Sequence, residues 1–187
     1  DTITKDTVAP AGYSVSLDQS YINATNQTAA SFTFTGAEVG ATYNYQIDDT
    51  NGGTAPITGT AAITSANQQV TGIDLSTLND DTLTLTVTLT DAAGNTGANA
   101  TDTITKDTVA PAGYSVSLDQ SVINAANQAA ASFTFTGAEV GSTYNYSIDD
   151  TNDGTAAITG TAAVTAVDQQ ITGIDLSTLD DDTLTLT

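Results

Sequence analysis

The side chains in this sequence that could do chemistry are nearly all carboxylates. Asp and Glu number 22 against two basic residues, Lys5 and Lys106, giving a formal net charge of -20 over 187 residues. His, Cys, Trp and Arg do not occur, so Ser-His-Asp and thiolate catalysis are excluded and a soft metal finds no sulfur or imidazole ligand. What remains is oxygen, from carboxylates, side-chain amides and backbone carbonyls, which suits a hard cation such as Ca²⁺. Repulsion among acids that no Arg and almost no Lys dilute is also what a divalent cation relieves. Paired acids serve glycoside hydrolysis too, but only across a cleft.

The elements that must position these acids come in two copies. Residues 1–86 reappear as 102–187, offset by 101, with 73 of 86 aligned positions identical. A repeat of that length can bury its own core, whereas solenoid repeats of 20 to 50 residues must stack to do so. Within each copy apolar residues alternate with Thr or Ser, the mark of half-buried antiparallel strands: Tyr13, Val15 and Leu17; Phe32 and Phe34; Tyr43, Tyr45 and Ile47; Leu83, Leu85, Val87 and Leu89. Clusters of Gly, Asn and Asp at 36–40, 48–53 and 91–97 supply turns, and 74–81 reads as a crossover with Leu75 and Leu78 beneath it. Strands are expected at 12–18, 30–35, 42–48, in short pieces near 55–65, and at 68–73, 82–90 and 98–105. The fold class is therefore all-β: tandem immunoglobulin-like antiparallel β-sandwiches of about seven strands each.

This reading assigns 1–6 to the last strand of a preceding repeat, 7–107 to a first complete repeat, and 108–187 to a second that stops before its final strand. The chain then reads as a piece of a longer array, joined by a short Pro-stiffened connection at 107–112. Asp107 in that joint is expected to face Glu139 of the second repeat, with Asp80 and Asp81 nearby. Asp6, Glu38 and Asp91, with Asn95, form the equivalent set one joint earlier. Ca²⁺ is the expected cofactor at both; the competing reading is that Asp, Asn and Gly favour turns and caps for their own sake.

Three segments carry a family resemblance. Lys106-Asp-Thr-Val-Ala-Pro111, Gly36-Ala-Glu-Val-Gly40 and Asp91-Ala-Ala-Gly-Asn95 together resemble the bacterial immunoglobulin-like repeats of very large RTX-type adhesins, over essentially the whole chain. The resemblance implies extender domains of calcium-dependent proteins that leave the cell through a type I system. Such domains hold a distal binding region away from the bacterial surface, in attachment or biofilm. No RTX nonapeptide run, export signal or binding tip is present in the sequence.

Partners follow from charge and pattern. Neighbouring repeats of the same chain are expected; nucleic acid and anionic membrane are poor matches for so acidic a surface, and no apolar run is long enough for a membrane helix. The distal ligand is not specified. The rival to a spacer is a glycan- or protein-binding module using exposed Thr and Asn rows or Tyr43 and Tyr45, whose spacing also fits a core. Asp149, Asp153 and Gly154 echo an EF-hand loop, but Thr151 and Gly160 occupy ligand positions, so a hairpin turn is the reading. Asn23, Asn26 and Asn99 head Asn-x-Thr triplets, of which the second copy loses the first two through Ala126 and Ala129. No catalytic residues are expected.

Overall fold

The computed structural model describes residues 1–152 and 154–187; Asp153, considered above as part of an EF-hand echo, lies outside the described residues. Two compact units are present, Asp1–Val109 and Ala110–Thr187. The division falls inside the stretch read as the joint.

Unit 1 contains seven strands: β1 (Ser14–Leu17), β2 (Ala30–Thr35), β3 (Thr42–Asp49), β4 (Ile57–Ala62), β5 (Gln69–Ile73), β6 (Thr82–Thr90) and β7 (Ala100–Thr105). They form two antiparallel sheets, ordered β1-β2-β5 and β4-β3-β6-β7. The short pieces expected near 55–65 are one strand, β4, which joins the sheet of β3 along six rows. The longest strand shows why the pattern works. In β6 the inward Leu83, Leu85, Val87 and Leu89 are fully buried while Thr alternates on the outer face, where its branched Cβ suits an exposed pleat.

The inner rows of the two sheets meet in one core. Phe32 and Phe34 of β2 lie edge-on to each other, and Tyr45 and Tyr43 of β3 close over them with ring centroids 5.3 and 5.4 Å away. Such offset pairs add about 0.5–1.5 kcal/mol to simple burial. The tyrosines are therefore core residues in unit 1, and burial pushes both phenols above their ordinary pKa. Where β2 meets β5 the register slips by one residue between Ala30 and Phe32. The extra residue is absorbed at Gly72, whose φ of 73° a β-branched residue would not tolerate.

Unit 2 repeats the plan with β8 (Ser115–Leu118), β9 (Ala131–Thr136), β10 (Thr143–Asp150), β11 (Ile158–Ala163), β12 (Gln169–Ile174) and β13 (Leu184–Leu186), in sheets β12-β9-β8 and β11-β10-β13. A 3₁₀ turn over Gln128–Ala130 precedes β9. Residues 1–6, read above as the last strand of a preceding repeat, are exposed and pair with no strand of unit 1.

The chain enters unit 1 through a tight seam. The Tyr13 hydroxyl donates to the Ala98 carbonyl and accepts the Leu89 N–H at 3.2 Å, which ties the approach to β1 against the end of β6. Gly97 stands beside it, and a Cβ there would sit 2.3 Å from the Pro10 carbonyl oxygen. Because the obstacle is backbone on one side and the Tyr13 ring on the other, neither yields cheaply. Gly97→Ala is expected to lower the stability of unit 1 by about 1–3 kcal/mol, read as an earlier midpoint in urea denaturation; an unchanged midpoint would show that the seam does not constrain the fold.

Candidate functional site

Three of the inward-facing rows in unit 1 continue, in phase, onto a charged residue. The row Tyr43, Tyr45, Ile47 runs on to Asp49; Leu83 through Leu89 runs on to Asp91; Ile104 runs on to Lys106. All three ends are buried, with relative exposures of 6%, 8% and 3%. A buried charge is tolerated only when its hydrogen-bonding capacity is met, and at each position the surrounding loop meets it.

Lys106 closes one end of the sandwich. Its Nζ donates to the Leu75 carbonyl at 3.1 Å and to the Leu78 carbonyl, and lies 3.9 Å from Asp80 Oδ1. The backbone around it is locked as well: Ile22 N–H donates to Thr105, Lys106 N–H to Asp81, and Asp107 N–H to Ile22, all at 2.8–3.0 Å. Asp80 then takes the next residue, its Oδ2 accepting both the N–H and the hydroxyl of Thr108 at 2.8 Å. Burial alone pushes the Asp80 carboxyl upward, but Thr108 and the Lys106 charge outweigh it and hold the group below the usual carboxylate range. The chain leaving β7 is thus fastened to unit 1 as far as Thr108.

Asp49 organises the β3–β4 turn. Its oxygens accept the Thr54 hydroxyl, Gly52 N–H and Asn79 N–H, so it joins that turn to the 74–81 crossover. Asp150 repeats the arrangement in unit 2, accepting from Asn152 N–H, the Thr155 hydroxyl and Asp180 N–H. Asp91 is saturated by its own turn: Oδ1 accepts Ala93 N–H and Asn95 N–H, and Oδ2 accepts the Asn95 side-chain amide at 2.8 Å.

The acids singled out in the sequence therefore divide by what their oxygens are doing. Asp80, Asp81 and Asp91 are committed; Asp81 accepts the Thr50 hydroxyl and the Thr82 N–H. Asp6 and Asp107 are exposed, and each uses only Oδ1, for the N–H of Val8 and Val109 at 3.0 Å. Glu38 and Glu139 are exposed, and among the described residues neither carboxylate accepts a hydrogen bond. Within unit 1 the structure brings Asp6 and Asp91 together through Asn95, whose amide reaches the Asp6 carbonyl at 3.5 Å, and Asp80 to the residue following Asp107. It makes no such link to Glu38. Glu139 belongs to unit 2 and Asp107 to unit 1. Among the described residues no three His, Cys, Asp or Glu side chains converge on one ion position.

The sequence signal for Asp49, Asp91 and Lys106 was the phase of the alternation, which these residues continue. The Asn-x-Thr asparagines also have structural work. Asn23 Oδ1 accepts Thr25 N–H and its hydroxyl, and Asn26 holds the Tyr21 carbonyl and the Asn23 N–H. Asp149 and Asp150 end a strand.

No family model matches the chain, and no curated protein matches it. Among solved structures it is similar to the FN1–FN3 domains of chicken CNTN1, at 12% identity and a TM-score of 0.41, covering 91% of this chain and 56% of that one. It is also similar to chitinase ChiA74 from Bacillus thuringiensis, at 12% identity and a TM-score of 0.36, covering all of this chain and 30% of that one. The chain spans little more than half of the first and under a third of the second. Among the described residues no helix is long and apolar enough to cross a membrane.

Two outcomes follow from this site. Lys106→Met keeps the aliphatic stem and leaves the Leu75 and Leu78 carbonyls without their ammonium, which should cost unit 1 about 1–3 kcal/mol; Lys5→Met, at the exposed equivalent position, should leave dilute-solution denaturation unchanged. Asp49 is held below its ordinary pKa, first by the Thr54 hydroxyl and then by Asn79. A carboxylate lowered in the folded state contributes fully above its unfolded value of about 3.9 and loses that contribution as pH falls through the folded one. The Tm gap between the native chain and Asp49→Ala should accordingly stay constant from about pH 7 to 5 and close below about pH 4. Comparing the two chains cancels the relief of general acidic repulsion, and a gap independent of pH would separate Asp49 from that linkage.

Proposed function

We propose that this chain is an extender segment of a large bacterial surface adhesin. Tandem β-sandwich units would set the distance between the cell and a distal binding region, in adhesion to cells or surfaces or in biofilm. In this reading the segment lies outside the cell, exported by a type I route, and catalyses nothing. The observation that carries it is the fastening of the connecting segment: Ile22, Asp81, Lys106 and Asp80 hold the chain through Thr108 on the body of unit 1. A module that only needed to be tethered would leave that segment loose, whereas a spacer that transmits direction must stiffen it. The near-verbatim second copy supports the same reading, because identical neighbours add length without adding a new surface.

Calcium at the joints is the second part of the proposal. Asp107, Asp6, Glu38 and Glu139 keep carboxylate oxygens that no N–H or hydroxyl of the described residues occupies, and backbone carbonyls and water would complete a hard-cation shell. Asp80, Asp81 and Asp91 would act behind them, fixing the loops from which the open acids project. Extracellular sites of this kind bind at about 10⁻⁴–10⁻³ M, so they would fill outside the cell and empty within it. An ion at ten times its Kd would add about 1.4 kcal/mol to the units it joins.

Small-angle scattering and thermal melting of the 187-residue chain, with calcium and then with chelator, test this. Calcium should raise both Tm and maximum dimension, and Asp107→Asn should blunt the response where Asp149→Asn does not. Identical curves in calcium and chelator would remove calcium from the account, and a maximum dimension no larger than one sandwich would remove the extender.

A further inference from the structure

Asn51 is the one asparagine in the sequence that is followed by glycine. That pairing has its own chemistry. The backbone nitrogen of the following residue attacks the side-chain carbonyl carbon, ammonia leaves, and a cyclic succinimide forms; water then opens the ring to aspartate or isoaspartate. Glycine permits the attack because no side chain crowds its nitrogen and its backbone reaches conformations closed to other residues. In unit 2 Asn152 is followed by Asp153 instead, so the near-identical repeat lacks the pairing at the same place.

Both neighbours of Asn51 are held by carboxylates. The Thr50 hydroxyl donates to Asp81, and the Gly52 N–H donates to Asp49 Oδ1 at 3.1 Å. Asp49 cannot follow a moving turn, because it is buried at the end of β3 and also accepts the Thr54 hydroxyl and the Asn79 N–H. Asn51 itself is exposed, and beyond the adjoining residues nothing stands within 4 Å of the place a Cβ would occupy on Gly52. Crowding therefore does not shield the linkage. The hydrogen bond does: the attacking nitrogen must lose the proton it donates to Asp49, and losing it there would set two negative charges side by side.

We propose that Asn51 is a latent site of spontaneous deamidation, kept closed in the folded unit by the hydrogen bond from Gly52 to Asp49. Opening of the β3–β4 turn, without unfolding of the sandwich, frees the Gly52 nitrogen and lets the reaction run. The change is one-way. It adds a carboxylate next to Asp49 and to the Thr50–Asp81 contact, and in the isoaspartyl product it lengthens the main chain by one carbon between the Thr50 and Gly52 anchors. Each opened turn is thus recorded as added negative charge in unit 1 and not at the matching place in unit 2.

The test uses the whole 187-residue chain, incubated folded at neutral pH and read by intact mass and peptide mapping for the gain that exchange of an amide NH₂ for OH brings. Isomerisation at Asp153-Gly154 leaves mass unchanged and does not enter this readout. A synthetic peptide of residues 48–54 should deamidate at Asn51 well ahead of the folded chain. Asp49→Ala should raise the chain's rate about tenfold or more, the loss expected when a hydrogen bond to a charged group no longer holds the turn shut. Gly97→Ala weakens unit 1 at the Tyr13 seam and leaves the turn alone; it should react as the native chain does, which separates turn opening from unfolding of the sandwich. If circular dichroism shows that Asp49→Ala does not fold, Asp49→Asn takes its place: it keeps the shape and one acceptor oxygen, and its rate should fall between those of the native chain and the peptide. A peptide in which Asn51 persists, a folded native chain that reacts as fast as the peptide, an Asp49 variant no faster than the native chain, or Gly97→Ala accelerated as much as that variant would overturn the proposal.

Discussion

The end of unit 1 depends on one ammonium group placed where the β alternation calls for a side chain that points inward. Stripping an ammonium of water costs several kcal/mol unless acceptors replace it. Lys106 finds two carbonyls and a carboxylate because the 74–81 crossover turns its C=O groups toward the core above Leu75 and Leu78. The arrangement also fixes register. Sliding β7 by one residue would send Lys106 outward, expose Ile104 and turn Thr103 into the core, so every competing alignment loses both the apolar contact and the acceptors. A buried leucine at this position would satisfy the apolar contact but leave the crossover carbonyls without a donor.

The acidic composition makes sense once the partners are counted. With two lysines in the sequence, most carboxylates cannot be met by opposite charge, and the fold meets them with N–H groups and threonine hydroxyls. Thr50 serves Asp81, Thr54 serves Asp49, Thr108 serves Asp80, Thr33 serves Asp18 and Thr155 serves Asp150. Each donor favours the ionised carboxylate, which is why these acids sit below their ordinary pKa even where burial pushes the other way. Threonine therefore fills two roles here: it forms the outer face of strands such as β6, and at loop ends it takes the place that arginine holds in less acidic proteins.

Much of the architecture was legible because it depends on pattern. Six of the seven strands of unit 1 lie within a residue or two of where alternation and turn clusters put them, β4 being one strand where short pieces were expected; leucine on one face and threonine on the other leave β6 a single way to bury itself. The acids were less legible for a physical reason. An aspartate that closes a turn and an aspartate that waits for a cation occupy the same kind of Gly-Asn-rich loop, and only the positions of nearby N–H groups separate Asp91, saturated by Asn95, from Asp107, with one oxygen free. Lys106 was overlooked because a search for apolar periodicity stops at the last apolar residue. Followed one step further, the row Ile104 and Lys106 already states that a lysine faces the core.

The two copies of Asp-Thr-Ile-Thr-Lys-Asp show where strand structure in this chain comes from. Intrinsic preference is identical for identical residues, yet residues 102–105 are strand and residues 1–4 are not. What differs is an edge to pair with and an apolar surface to cover, which is the sense in which β propensity reports context more than backbone taste. It follows that the segment after β6 is structural only through its partner. Its first half closes the sheet, its lysine seals the crossover, and its last residues carry the chain onward while still bound to Asp80. Sealing unit 1 and holding the departing chain are then the same interaction, so a change that loosens the seal around Lys106 also loosens the hold on Asp107 and Thr108.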